Sequence, residues 1–175
     1  SSAASDVYKR QTSIEDPNPV LFFEHKGLYR SVYQEVPVDY YTLPLGEASL
    51  LRQGDQITII TYGAGVHWAL ETLDKHTEIR ADVLDLRTLQ PLDTKAIYDS
   101  VIRTGKVIIL QEDSLFGGIA SDISAMVMEN CFEYLDGPIK RVGSLETPIP
   151  FNAELEAQYL AKSRFEKDLL ELIAY

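Results

Sequence analysis

A chain of 175 residues has room for one domain with a sizeable core plus an additional segment, and 45% hydrophobic with 25% charged residues excludes a disordered or low-complexity polymer. A net charge of -11, with no local run of Lys and Arg to offset it, excludes nucleic acid as a partner and leaves a basic protein as the partner type that the charge favours. No apolar stretch reaches the roughly 18 residues of a membrane span, no signal peptide is recognisable, and a single cysteine, Cys131, permits no internal disulfide, so the expected location is cytoplasmic.

Residues 1–13, SSAASDVYKRQTS, show no periodicity and read as a leader foreign to the fold. Residues 20–23, VLFF, have the pattern of a short buried strand, which needs a sheet to belong to. Residues 34–45 hold two prolines and no helical period, as an extended linker would.

From Gly46 the pattern is regular. EASLLR suits an edge strand closed by a QGD turn, and QITIITY an interior strand. Val66, Ala69, Leu70 and Leu73 then form one apolar stripe of a helix. ADVLDLR is the next strand. Asp93 stands at the N-cap of a helix TKAIYDSVIRT, with Gly105 just past its end. KVIILQE has the apolar run of a strand covered on both faces. Ile119, Ile123, Val127 and Cys131 continue as a helix, and IKRVGS supplies a last strand. Ser163 and Glu166 have capping-box spacing before a helix with Phe165, Leu169, Leu172 and Ile173 on one side. This alternation predicts an α/β fold: a three-layer α/β/α sandwich with a mostly parallel sheet.

Candidate chemistry is sparse. Gly63 and Gly65 supply the first two glycines of a dinucleotide turn, but Trp68 stands where the third belongs, and an indole there would hold the helix away from the strand. Asp85 lies at the distance of a ribose-binding acid, a spacing that chance also supplies. His25, His67 and His76 lack metal-ligand spacing, and no nucleophile motif is present. Glu112 and Asp113 fall at the carboxyl end of a strand, where open α/β sheets place their sites; the glycine pair that follows reads as a device for packing the next helix down. No residue is predicted to be catalytic, cofactor-binding or metal-binding.

Several stretches together resemble a known family: NPVLFFEHKGLYR, YTLPLGEASLLRQGDQITIITYGAGVHWALE, VLDLRTLQPLD, TGKVIILQED, FGGIASDISAMV and FEYLDGPIKRVGSLETPIPF. In that order they resemble the C-terminal part of the beta subunit of thiamine-dependent 2-oxo acid dehydrogenases, closest in wording to the bacterial branched-chain (2-oxoisovalerate) enzymes. The resemblance implies a transketolase C-terminal-like domain over residues 46–175 with a five-stranded mixed sheet and one antiparallel edge strand. Residues 14–33 would then close a preceding pyrimidine-binding domain, which gives the orphan strand its sheet. The complete enzyme in that family uses thiamine diphosphate and Mg²⁺, held between the preceding domain and an alpha portion, decarboxylates a 2-oxo acid and passes the acyl group to a lipoyl arm. Isolated, the chain is expected to be inactive. Implied partners are the alpha portion, a second beta copy and the basic subunit-binding domain of a lipoyl transacylase. Asp136 and the terminal carboxylate of Tyr175 match the docking positions. Many relatives carry His where this chain has Gln111, so no role for an imidazole carries over. Alternative readings are a pyruvate dehydrogenase, transketolase or deoxyxylulose phosphate synthase domain, or a free-standing nucleotide-binding module on the glycine turn.

Overall fold

The computed structural model describes residues 3–30 and 41–175. Five strands form one sheet: β1 (Ser49–Arg52), β2 (Ile57–Thr61), β3 (Ala81–Asp85), β4 (Val107–Ser114) and β5 (Lys140–Ser144). Their order is β1-β3-β2-β4-β5, with β1 antiparallel to β3 and the other neighbours parallel, which is the mixed sheet expected from the sequence. Every residue of β2 and β3 is buried, so both need cover on two faces. One face is covered by α2 (Ala64–Lys75) and α6 (Lys162–Ile173), whose Ala69, Leu73, Phe165 and Leu169 meet Ile57, Ile59, Val83 and Leu110. The other is covered by α3 (Thr94–Thr104) and α4 (Ile119–Cys131), whose Ile97, Val101, Ile123 and Val127 meet Ile60, Leu84 and Ile109. Adjacent residues of one strand thus serve opposite layers, as the period of two requires.

Helix termini follow local chemistry. Asp93 accepts the Ala96 N–H at 3.0 Å through one carboxylate oxygen and the Ala48 N–H at 2.9 Å through the other, so the cap of α3 also fixes the approach to β1. Gly105 closes α3 in the left-handed region, φ 70°. At α6 the expected capping box is absent. The helix starts two residues earlier, Ser163 lies inside its first turn and donates to the Leu160 carbonyl at 2.9 Å, and Glu166 is engaged by His76 instead.

Three other expectations change. Residues 20–23 form no strand: Leu21 and Phe23 are 86% and 88% exposed, and among the described residues this segment pairs with neither edge of the sheet. The presumed leader contains a helix, α1 (Ala3–Glu15), whose Thr12 hydroxyl donates to the Leu43 carbonyl at 2.7 Å and accepts the Leu43 N–H at 3.1 Å. Between β5 and α6 lies a helix that the sequence pattern does not announce, α5 (Ala153–Tyr159); Asn152 caps it, but it buries no residue and so has no apolar stripe to read. Of the expected linker, residues 41–45 have neither helix nor strand, and 34–40 lie outside the described residues.

Strand β3 buries two carboxylates, Asp82 and Asp85. Asp82 of β3 has no exposed surface, and its oxygens take the Gly54 N–H at 2.8 Å, the Ser100 hydroxyl at 2.5 Å and the Arg103 guanidinium. Thr58 extends the network to Ser100 and Thr104 at 2.7 Å each. A buried charge is tolerable only with such partners. Asp82→Ala strands the Gly54 N–H and the Ser100 hydroxyl, and it is expected to cost about 2–4 kcal/mol in urea unfolding, more than Thr104→Val.

A second polar contact ties α6 to the end of α2. His76 faces Glu166 at 2.7 Å through Nε2 and Glu78 at 3.3 Å through Nδ1, and only an imidazolium can donate to both. The bond to Glu166 chiefly raises the His76 pKa above its ordinary 6.5, and the same bond lowers that of Glu166 below 4.5. Stability from the raised histidine is full below 6.5 and lost as pH rises through its folded value; stability from the depressed glutamate is full above 4.5 and lost as pH falls. Phe165, Leu169 and Leu172, at about 1.5–3 kcal/mol each, still dominate the seating of α6. The Tm deficit of His76→Gln should therefore be modest, greatest between pH 4.5 and 6.5, and shrink on either side.

Candidate functional site: the two ends of the sheet

The chain leaves β2 through α2 toward β3 and leaves β4 through α4 toward β5, so the connections part in opposite directions between β2 and β4. Open α/β sheets form a crevice at the carboxyl ends of such a pair. Here it is a recess of about 340 Å³, open to solvent, lined by Tyr62 after β2, by Glu112 and Asp113 of β4, and by Ile149, Glu156 and Tyr159 from the segment that carries α5. The register of β4 against β5 breaks between Leu110 and Ser114, and this irregularity turns the two acids toward the recess. Burial pushes the Tyr62 hydroxyl pKa up, and the charges of Asp113 and Glu112 push it further, so the phenol stays protonated as a donor. His25, from the segment before the 3₁₀ turn Lys26–Arg30, reaches over the rim, its Nε2 3.1 Å from Glu112 Oε1.

Gln111 holds this rim in place. Fully buried, it accepts the Ala120 N–H at 2.8 Å, at the start of α4, and donates to the Ser114 carbonyl at 2.5 Å. A carboxamide donates and accepts without titrating. Gly118 packs so close that a Cβ there would collide with the Gln111 amide, which supports reading the glycine pair as a packing device; Gly117 adds the left-handed turn, φ 71°. Gln111→Leu leaves the Ala120 N–H and the Ser114 carbonyl without partners and is expected to cost about 1–3 kcal/mol in chemical denaturation.

The glycine turn after β2 is structural. Gly63 takes φ 57°. Gly65 presses against Thr61 and Leu110, so a Cβ would strike the Thr61 hydroxyl, and the close approach is to the protein's own strand. Trp68 does not hold α2 away as the sequence suggested: its indole turns into the α2/α6 side of the core, 9% exposed. Asp85 is buried, and one oxygen accepts the Arg87 N–H at 3.1 Å. The three histidines do not converge, and among the described residues no three His, Cys, Asp or Glu side chains are grouped to hold a metal. A diphosphate with its metal does not fit the recess either, since Glu112, Asp113 and Glu156 line it with negative charge.

The predicted docking residues lie at the other, amino end of the sheet, where the Tyr175 ring packs beside Gly137, the neighbour of Asp136. The Asp136 N–H donates to the Gly105 carbonyl at 2.8 Å, and a Cβ on Gly137 would sit 3.1 Å from the Tyr175 ring. Asp136 is exposed, as are Tyr175, Phe132 and Tyr134 around it. Lys106 already donates to the Ile173 carbonyl at 3.1 Å, which partly offsets the negative end of α6. Sequence reasoning passed over Tyr62, Ile149, Glu156 and Tyr159. Tyr62 was legible as the residue following β2 at a strand-order reversal; Glu156 and Tyr159 ride on α5, which has no hydrophobic period, and Ile149 lies in the segment before it.

An open, doubly covered sheet with a crevice at its strand-order reversal defines a domain of the α/β sandwich class. The family described as Transketolase, C-terminal domain, matches residues 46–164, and the chain belongs to that family. It is similar to the 2-oxoisovalerate dehydrogenase subunit beta of Bacillus subtilis (strain 168), 41% identical over 169 residues, covering 94% of this chain and 52% of that one. It is similar as well to the pyruvate dehydrogenase E1 component subunit beta of the same organism, 41% identical over 162 residues, covering 91% and 49%. The acetoin:2,6-dichlorophenolindophenol oxidoreductase subunit beta, also from that organism, is 46% identical over 150 residues, covering 85% and 44%. Among solved structures, a split gene transketolase described as an inactive beta4 tetramer superposes with TM-score 0.66 at 25% identity, covering 83% of this chain and 47% of that one. The chain spans about half the length of the curated relatives it matches. Among the described residues no helix is long and apolar enough to cross a membrane.

Proposed function

We propose that the chain is the C-terminal part of the beta portion of a thiamine diphosphate-dependent 2-oxo acid dehydrogenase acting on branched-chain substrates, and that its work is assembly and docking. The reading rests on its similarity to a 2-oxoisovalerate dehydrogenase subunit beta along 94% of its length. A pyruvate enzyme is the competing reading, favoured by an equal 41% identity to a pyruvate dehydrogenase subunit. In this reading residues 1–13 are a leader, 14–33 close a preceding pyrimidine-binding domain, 34–45 link, and 46–175 form the C-terminal domain. The exposed Leu21 and Phe23 support it, as a strand parted from its sheet would expose them. Thiamine diphosphate and Mg²⁺ belong to the preceding domain and the alpha portion, where the cofactor supplies the carbanion chemistry of decarboxylation. The present chain supplies surfaces for the alpha portion and a second beta copy, in a cytoplasmic complex, and has no activity alone.

Docking is assigned to Asp136 and Tyr175, for a basic subunit-binding domain of a lipoyl transacylase. The observation that supports this is that the Tyr175 ring lies against Gly137, the residue after Asp136, with exposed aromatic side chains nearby. An acid and a terminal carboxylate at a helix end attract a cationic partner by a salt-sensitive interaction. Calorimetric titration of such a domain into the folded chain should give heat at low salt that declines as salt is raised. Asp136→Asn should weaken binding by about 0.5–1 kcal/mol, the range of an exposed pair. A folded sample that gives no heat at low salt removes the docking role.

A further inference from the structure

We infer that the carboxyl end of the sheet is a docking surface for a partner protein that inserts a basic side chain, arginine or lysine, into the acid-lined recess. The recess is about 340 Å³, and the carboxylates of Glu112, Asp113 and Glu156 line it. Glu112 already receives a basic ring: His25 comes to it at 3.1 Å from 87 positions away in the sequence. Asp113 accepts the Ser114 N–H at 2.7 Å, and among the described residues neither it nor Glu156 meets a basic side chain. Like charges gathered around one concavity raise each other's energy, and a cation entering it relieves them. Their field reaches the phenol beside them, since the charges of Asp113 and Glu112 add to the burial that raises the Tyr62 pKa.

The kind of cation follows from the spacing and the walls. A bare metal ion is disfavoured, because among the described residues no three His, Cys, Asp or Glu side chains are grouped to hold one. Carboxylates spread around a wider space suit the head of a side chain instead. Tyr62 and Tyr159 line the same space, and aromatic rings beside carboxylates favour a guanidinium or an ammonium.

The surroundings of the recess point to a protein as the bearer of that cation. Ile149, Phe151 and Leu155, from the segment that carries α5, are exposed, as is Phe116 in the loop after β4. Because α5 buries none of its residues, the fold itself gives these side chains little cover. An anchor residue in a pocket framed by apolar contact is how protein interfaces hold their partners.

The wall is also set in advance. Arg164 donates to the carbonyls of Gln158 and Tyr159 at 3.0 Å each and to that of Gly143 at 2.8 Å, and the Leu145 N–H donates to the Tyr159 carbonyl at 3.1 Å. These bonds pin the end of α5 to β5, and a wall already in place costs less to bind. A second copy of this chain is a poor occupant, since it brings a net charge of -11 to an acidic surface.

The inference depends neither on the dehydrogenase reading nor on docking at Asp136. Its test is NMR of the full chain titrated with the peptide acetyl-Leu-Arg-Leu-amide and, separately, with its citrulline counterpart, which keeps the shape without the charge. The expected result is a saturable shift confined to the backbone amides of Glu112, Asp113, Glu156 and Tyr159, given by the arginine peptide alone and weakened as salt is raised. Glu156→Gln, at an exposed position, should leave Tm unchanged and weaken binding about two- to fivefold, the effect of one exposed pair. Asp136→Asn, at the other end of the sheet, should leave binding unchanged. No saturable shift at millimolar peptide, equal shifts from both peptides, shifts spread over the whole acidic surface, or binding lost with Asp136→Asn and kept with Glu156→Gln each overturn the inference.

Discussion

Burial of β2 and β3 on both faces is the constraint on which the rest of the structure depends. Strands with no solvent face cannot end a sheet, so β1 and β4 must flank them, and two helical layers must cover them. The same demand sets the helix faces: Phe165 and Leu169 exist to cover one side, Ile97 and Val101 the other. It also leaves a polar side chain in a central strand no exit, and Asp82 is tolerated because a turn amide, a hydroxyl and a guanidinium converge on it. That convergence joins the β1–β2 turn and α3 to the strand between them. The most expensive group in the core is therefore also one of its best-connected.

Sheet order then creates the sites. Placing β2 between β3 and β4 sends successive connections in opposite directions, and the gap this leaves at the carboxyl ends exists whatever residues line it. Its chemistry is decided locally. The register break in β4 aims Glu112 and Asp113, and Gln111 locks that break to α4 with an amide that does not change charge with pH. A histidine at the same position would make the rim responsive to acid, which the amide of Gln111 does not. The amino end is assembled differently, by the chain returning: α6 brings Tyr175 back beside Gly137, a contact that no local pattern encodes.

What could be read beforehand follows from this division. Elements with two-sided or striped burial announced themselves, so β2, β3, β4, α2, α3 and α4 fell where period and caps put them, down to Asp93 and Gly105, while α6 kept its apolar stripe but started ahead of its expected cap. The failures share a cause, which is that nothing apolar distinguished the outcome. α5 buries no residue, and the capping-box spacing of Ser163 and Glu166 lost to a stronger tertiary partner, His76. Residues 20–23 failed in the opposite sense. Their pattern is that of a strand, but among the described residues they pair with no sheet edge, and an apolar run without a partner edge stays exposed. The recess was half legible, since Glu112 and Asp113 were placed at a strand end, while Tyr62, Glu156 and Tyr159 required the strand order and α5.

Most described basic side chains are occupied within the fold: Arg103 by Asp82, Lys140 by Asp168 and Glu171, Lys162 by Glu71, Lys106 by the end of α6. With cations so committed, the excess of 27 acids over 16 bases must appear at the surface as unmatched carboxylate, and any partner reaching the amino end meets Asp136 and the chain terminus within that field. Long-range attraction of this kind selects the sign of a partner and speeds its arrival, and in the proposed docking the exposed rings of Phe132, Tyr134 and Tyr175 would supply the contact area.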